Sequence, residues 1–171
     1  QKIPIPGVSA VPLDDDMYEW HGNIKATADN VYKGAVLHFK MVFPPNYPLS
    51  PPTVYLLNDS LTHPNVMPDR KICLDMFEKD KGSYKGWKTG YTVLSILLQL
   101  QNFFFDVDEK LLSDYVKKQI KDTLAVIAEF KCPDCKHEGS SNPFPEFPKI
   151  REQNAKLSQE QYKELKKKEI C

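Results

Sequence analysis

The stretch His63-Pro64-Asn65-Val66-Met67-Pro68-Asp69-Arg70-Lys71-Ile72-Cys73-Leu74-Asp75 holds the residues of this chain best suited to covalent chemistry. A cysteine acts as a nucleophile when it is partly exposed and can become thiolate. Cys73 sits late in a polar loop, beside Arg70, Lys71 and Asp75, and Asn65 lies eight residues upstream. If the loop folds back, the Asn65 amide can donate to an oxyanion formed at Cys73, an interaction worth about 3–4 kcal/mol of barrier. Residue types alone leave a competing reading open, because a solitary cysteine is most often a small buried hydrophobe. His63, directly before Pro64, reads as a structural histidine bonded to backbone. No second histidine or aspartate is placed to complete a protease-like triad, which disfavours hydrolysis.

A second group of ligand-type residues is Cys132-x-x-Cys135 with His137. It resembles half a zinc site, since zinc takes about four ligands in tetrahedral array. Cys171 is a candidate for the fourth ligand. The plainer readings are an exposed thiol pair, or half of a site completed outside this chain. The expectation is no metal and no organic cofactor, with Cys132, Cys135 and His137 as weak metal candidates.

The elements that must position these residues are legible from periodicity. Tyr18, Trp20, Gly22, Ile24 and Ala26 share one parity, which predicts a half-buried strand. From Gly34 to Phe43, Ala35, Leu37, Phe39, Met41 and Phe43 face one way, while Val36, His38, Lys40 and Val42 form a more polar face. Residues 43–52 hold five prolines and must be a fixed, irregular crossover. Thr53–Leu57 is a third strand. These strands follow one another too closely for crossover helices, so an antiparallel meander is expected. Residues 1–16 read as irregular. Residues 58–90 lack periodicity, and long loops of this kind are often functional.

A nearly all-round apolar helix is expected over 92–104, deeply buried, and a second from about Leu111 to Phe130 with Leu112, Val116, Ile120, Leu124 and Ile127 as its apolar stripe. Residues 131–148 read as a Pro- and Cys-containing linker, and 149–171 as a charged helix opened by the capping box Ser158-Gln159-Glu160-Gln161. Strands followed by helices make the class α+β. The domain reading is therefore a core over 1–130, the linker, and the terminal helix.

Composition narrows the function. The chain has 171 residues, which fits one domain plus extensions and a core needing no disulfides. Lys+Arg and Asp+Glu each total 23, so no basic face argues for nucleic acid. No apolar run reaches the roughly 20 residues a bilayer span requires. Four cysteines, only two of them close together, are not the density of a small secreted scaffold. A reducing compartment is the expectation. Gln1 in place of a methionine points to a fragment or a processed form.

The string HPNV…KICLD resembles the active-site motif of ubiquitin-conjugating enzymes, including the Asn-to-Cys spacing. Three further matches occur in order. MYEWHGNI followed by YKGAVLHFKMVFP resembles the family's first two strands. FPPNYPLSPP resembles its proline-rich crossover. Trp87, followed by the helix from Thr92, resembles the segment after the active site. The resemblance covers about residues 8–130, and the ordered set is strongly specific.

The resemblance implies a ubiquitin-conjugating-enzyme-like fold in which Cys73 accepts the C-terminal glycine of ubiquitin, or of a ubiquitin-like protein, from an activating enzyme. Asn65 would stabilise the oxyanion or brace the loop when a lysine attacks. Asp75 would receive or orient that lysine, while His63, Pro64 and Trp87 would support the loop. Leu49 matches an apolar ligase-facing position. Partners would be the modifier, its activating enzyme, a ubiquitin ligase and a protein substrate, with cytoplasmic or nuclear localisation. The competing reading is a catalytically inactive relative that binds ubiquitin or a partner, against which the intact ICLD context argues.

The sequence departs from the family pattern in four places. The family's N-terminal helix is not recognisable in residues 1–16. Trp87 lies 14 residues after Cys73, because residues 77–86 carry an insertion expected to form a flap beside the thiol. Lys88-Thr89-Gly90 replaces the family's Ser-Pro-Ala. Asp106-Val107-Asp108-Glu109-Lys110 stands where a proline-rich, doubly acidic gate is usual.

Overall fold

A computed structural model describes residues 5–27, 29–58, 60–61, 63–79 and 86–148. Its centre is an antiparallel sheet in the order β1-β2-β3-β4: β1 Val8–Pro12, β2 Glu19–Lys25, β3 Val36–Val42 and β4 Thr53–Leu56. Three of these strands lie where alternation predicts them. β1 corrects the reading of residues 1–16 as irregular: Val8 pairs with Ile24 and Pro12 with Trp20. As an edge strand, β1 tolerates the proline that signals against it.

One face of the sheet forms the core. Val8, Ile24, Leu37, Phe39, Met41, Val54 and Leu56 are buried there, as alternation over the pleat requires. The helix α1, Val93–Phe105, buries Ile96, Leu97, Leu100, Phe104 and Phe105 and packs against β1 and β2. It opens with a capping box in which the Thr92 side chain accepts from Ser95 N–H and the Ser95 hydroxyl accepts from Thr92 N–H. Gln101 on α1 ties the helix to the sheet by donating to the carbonyls of Gly7 and Lys25. The helix is amphipathic instead of buried all round, since Leu94 is exposed.

The second helix, α2, runs Asp114–Ala128. Its start is later than the apolar pattern suggests because the Ser113 side chain accepts from Val116 N–H and caps it there. Glu109–Leu111 forms a separate 3-10 turn capped by Asp108, which accepts from Lys110 N–H. Ile127 is fully buried, and the rest of the stripe is half-buried.

Residues 131–148, expected as a linker, are folded against the other face of the sheet. The carbonyl of Pro145 accepts from Ser9 Oγ and from Asn23 Nδ2, and Cys132 and His137 are buried. The segment turns at Gly139, whose φ is +85°. A Cβ at that position would lie 2.2 Å from the carbonyl oxygen of Ala128, so only glycine allows this approach to the end of α2. This cover explains why the face read as polar is buried at His21, Asn23 and His38. The expected terminal helix over 149–171, with Ser158-Gln159-Glu160-Gln161 and Cys171, lies outside the described residues. Among the described residues no helix precedes β1.

Candidate active site

The loop carrying Cys73 is built onto the edge of β4. Ile72 N–H donates to Val54 O, and Leu56 N–H donates to Arg70 O. Tyr55 and Lys71 form an antiparallel bridge. Ile72 is buried beneath the loop, while Cys73 beside it is exposed. Alternation along this short extended run thus pins the loop through Ile72 and turns the thiol to solvent.

The loop folds back on itself, the condition on which the reading of Asn65 depends. Met67 N–H donates to Lys71 O, and Cys73 N–H donates to Asn65 O, both at 2.8 Å. Asn65 Nδ2 donates to Cys73 O at 3.0 Å. The amide therefore sits at the backbone of the cysteine and holds it. Arg70 takes a positive φ of 70° at the turn, and its guanidinium donates to the carbonyls of Leu56, Leu61 and Asn58. Those three contacts over-determine a backbone conformation that costs of order 1–3 kcal/mol for a non-glycine residue.

His63 holds the start of the loop. Its Nδ1 accepts from Asn65 N–H at 3.1 Å, and its ring packs on Phe103 and Phe104 of α1. Burial pushes its pKa below the ordinary histidine value, which keeps it the neutral acceptor this bond needs. Pro64 is exposed between them. Asp75 opens a 3-10 turn, Asp75–Phe77, and is exposed two residues after the exposed thiol.

The sequence model of the family described as "Ubiquitin-conjugating enzyme" matches residues 1–124. The chain belongs to the ubiquitin-conjugating enzyme family. It is 42% identical over 98 residues to "Ubiquitin-conjugating enzyme E2-20 kDa" of Schizosaccharomyces pombe, a match covering 57% of this chain and 52% of that protein. It is 36% identical over 107 residues to "Ubiquitin-conjugating enzyme E2 13" of Arabidopsis thaliana, covering 58% of this chain and 64% of that one. The match thus spans about half to just under two thirds of these relatives' own length. Among solved structures, human ubiquitin-conjugating enzyme E2 G1 superimposes with a TM-score of 0.54 and 30% identity, covering 61% of this chain and 84% of that one. The α+β ubiquitin-conjugating fold expected from the sequence is the fold observed.

Within that fold, Trp87 is buried and its Nε1 donates to Pro48 O at 2.7 Å, joining the segment after Cys73 to the proline crossover. Tyr47 and Tyr91 pack against its ring. Leu49 in the same crossover is 69% exposed, which leaves it available to a partner. The insertion begins and ends at a fixed point: Trp87 N–H donates to Glu78 O at 2.8 Å. Of the expected flap over 77–86, residues 80–85 lie outside the described residues. In the acidic stretch after α1, Asp108 is occupied as a cap, whereas Asp106 is exposed at the helix end.

The cysteine pair is placed differently from the half-site first expected. Cys132 and Cys135 face His21 and His38 of β2 and β3. His137 instead stacks its ring on His38 at 4.1 Å and accepts from Phe144 N–H through Nδ1. Burial and the neighbouring His38 lower its pKa to about 4. The Cys132 thiol is drawn far below its ordinary value, first by the Cys135 thiol as donor and then by His21 and His38. His21 and His38 were missed because strand alternation assigned His38 to a solvent face. The available signal was that both lie on one face of paired strands in a chain that also carries a C-x-x-C.

Proposed function

We propose that this chain is a working ubiquitin-conjugating enzyme that carries ubiquitin, or a close relative of it, as a thioester on Cys73. The observation that carries this reading is an exposed thiol at the end of a loop cross-bonded in both directions to Asn65. An inactive relative would have no reason to keep a cysteine turned outward at this point of the motif.

The reaction is two acyl transfers. In the first, the Cys73 thiolate attacks the thioester carbonyl at the modifier's C-terminal glycine, and the activating enzyme's thiol leaves. In the second, a neutral lysine amine attacks the new thioester. The new C–N bond leaves a tetrahedral oxyanion, the nitrogen gives its proton to water, and the oxyanion collapses to the isopeptide carbonyl as the Cys73 thiolate departs. Asn65 braces the loop in the free enzyme and is the side-chain donor this reading assigns to the developing oxyanion. Asp75 is the acidic group offered to the incoming lysine. Loading requires ATP only at the activating enzyme, so no cofactor is assigned to this step.

The partners under this reading are the modifier, an activating enzyme, a protein substrate and a ligase docking near Leu49, with action in the cytoplasm or nucleus. A loading assay with activating enzyme, ATP and a panel of modifiers tests the reading. A reducible adduct with ubiquitin or one relative is expected on Cys73. Its absence with every modifier, or its appearance on Cys132, Cys135 or Cys171, would overturn it.

A further inference from the structure

The outer face of the sheet carries a buried polar cluster that thioester chemistry does not use. Asn23 pairs with His38 and His21 with Lys40 across β2 and β3, so His21 and His38 are diagonal neighbours on one face. Residues 131–138 turn over them in a tight antiparallel bridge between Lys131 and Glu138, presenting Cys132 and Cys135. His21 Nδ1 lies 3.1 Å from His38 Nε2. Cys132 Sγ lies 3.6 Å from His21 Nδ1, and Cys135 Sγ lies 3.5 Å from His38 Nε2. All four atoms fall within 4.8 Å of one another.

These are the edges of a metal tetrahedron. With Zn–N of about 2.0–2.1 Å and Zn–S of about 2.3 Å, tetrahedral geometry gives N···N edges of about 3.3 Å and N···S edges of about 3.5 Å. The spacings of 3.1, 3.6 and 3.5 Å lie within about 0.2 Å of these edges.

The surrounding hydrogen bonds also set the protons correctly. Asn23 Nδ2 donates to Pro145 O, which leaves Asn23 Oδ1 facing His38 Nδ1 at 2.8 Å. An amide oxygen only accepts, so His38 carries its proton on Nδ1 and turns the Nε2 lone pair inward. Glu19 Oε1 stands 3.3 Å from His21 Nε2 and does the same for that ring, turning Nδ1 inward. Two imidazole lone pairs thus face each other at 3.1 Å between side chains that are fully buried. They repel, and a cation bound between them relieves that repulsion while using both lone pairs. On the other side, Cys132 Sγ accepts from Asp134 N–H and Cys135 Sγ from His137 N–H, so each sulfur has a backbone donor of the kind that supports a metal-bound thiolate. Two thiolates and two neutral imidazoles around a divalent ion leave no net charge in the interior. Histidines whose outer nitrogen donates to a carboxylate or amide oxygen are the usual second layer of such a centre.

We propose that His21, His38, Cys132 and Cys135 bind one zinc ion, and that this ion fastens residues 131–148 to the outer face of the sheet. Four protein ligands close the tetrahedron, which makes the site structural and leaves no position for substrate. The ion links β2 to a turn 111 residues later. The proposal is independent of the role of Cys73.

The test uses the full chain, expressed without a histidine tag. Mass spectrometry of the metals should find one zinc per chain. X-ray absorption at the zinc edge should show two sulfurs at about 2.3 Å and two nitrogens at about 2.0 Å. Cys73→Ser and His137→Phe should keep the ion. Cys132→Ser and His38→Ala should lose it, and a strong chelator should make the parent cleavable by protease within 131–148. A second arm, His21→Cys, keeps four ligands and so does not depend on the folding of those two variants. It should hold zinc with three sulfurs and one nitrogen, and its cobalt form should show a thiolate charge-transfer band about half again as strong, as three sulfurs replace two. A folded parent that takes up no zinc on refolding with the metal would overturn the proposal. So would a zinc shell that His21→Cys leaves unchanged.

Discussion

Asn65→Ala separates the two roles the Asn65 amide can play, because the two predict effects of different size. Among the described residues the side chain makes one bond, donated to the carbonyl of Cys73 at 3.0 Å. That contact is at the surface, and water replaces the lost donor. Its removal should therefore cost about 0.5–1.5 kcal/mol of stability, a fall in Tm of a few degrees for a chain of this size. The backbone bond from Cys73 N–H to Asn65 O and the bond from Asn65 N–H to His63 Nδ1 do not involve the side chain and persist. If bracing is the whole role, discharge of ubiquitin to lysine should slow only by a factor of about 2–10, the same free energy expressed as a rate. If the amide also moves onto the oxyanion, discharge should slow by about 100-fold or more, the effect of deleting one preorganised donor. Loading should be nearly unchanged, since the activating enzyme supplies its own environment for that step. The assay is single-turnover discharge of purified thioester to free lysine, run beside a urea titration. Equal discharge rates for variant and parent would refute both roles. A large stability loss with a small rate loss would assign the residue to the loop alone.

Cys73→Ser should load more slowly and give an ester that resists reducing agent, read on a gel with and without thiol. Deleting residues 79–84 should leave Tm within a few degrees of the parent, because the Trp87 N–H to Glu78 O bond closes the loop's base and loop length costs little entropy; a changed discharge rate is expected, and an unchanged one would leave the flap without a role in access. Trp87→Phe removes the donor to Pro48 O and part of a buried ring, which should cost about 1–3 kcal/mol in urea unfolding. The His63 pKa is lowered by burial, so the unfolded chain, near 6.5, takes up a proton first as pH falls. Its contribution to stability is full above that value and should decline as pH drops through the region just below 6.5. His63→Asn should flatten the slope of stability against pH there, measured by urea midpoints.

What the sequence made legible and what it hid divide along a physical line. Strands β2, β3 and β4 and the helix α1 advertise themselves because one face of each meets the core, and burial on one face leaves a period in the residues. The Asn-to-Cys spacing left the fold-back of Asn65 onto Cys73 as a condition only, because what fixes it is the burial of Ile72, which pins the loop. β1 was hidden because Val8 is its one buried residue, which leaves no alternation to read, and because Pro12 signals against a strand although pairing at a sheet edge accepts it. The start of α2 was misplaced because a side-chain cap at Ser113 outweighs the apolar residues before it.

The larger miss was the outer face of the sheet. Alternation identifies a polar face but does not say what covers it, and the cover here is a segment more than 100 residues further along the chain. Once 131–148 lies on that face, His21, Asn23 and His38 lose water and each must find a partner. They do so through Glu19, Pro145 and the cysteine pair. The same strand edge serves the candidate active site. His38 N–H donates to Asn58 Oδ1, and Asn58 O accepts from Arg70, the residue that shapes the turn before Cys73. Asn58 thus joins the strand that carries the cluster to the turn before Cys73. A sheet whose two faces are both buried is stiffer than its four short strands would be alone, and a loop hung on its β4 edge inherits that stiffness without a residue of the cluster touching Cys73.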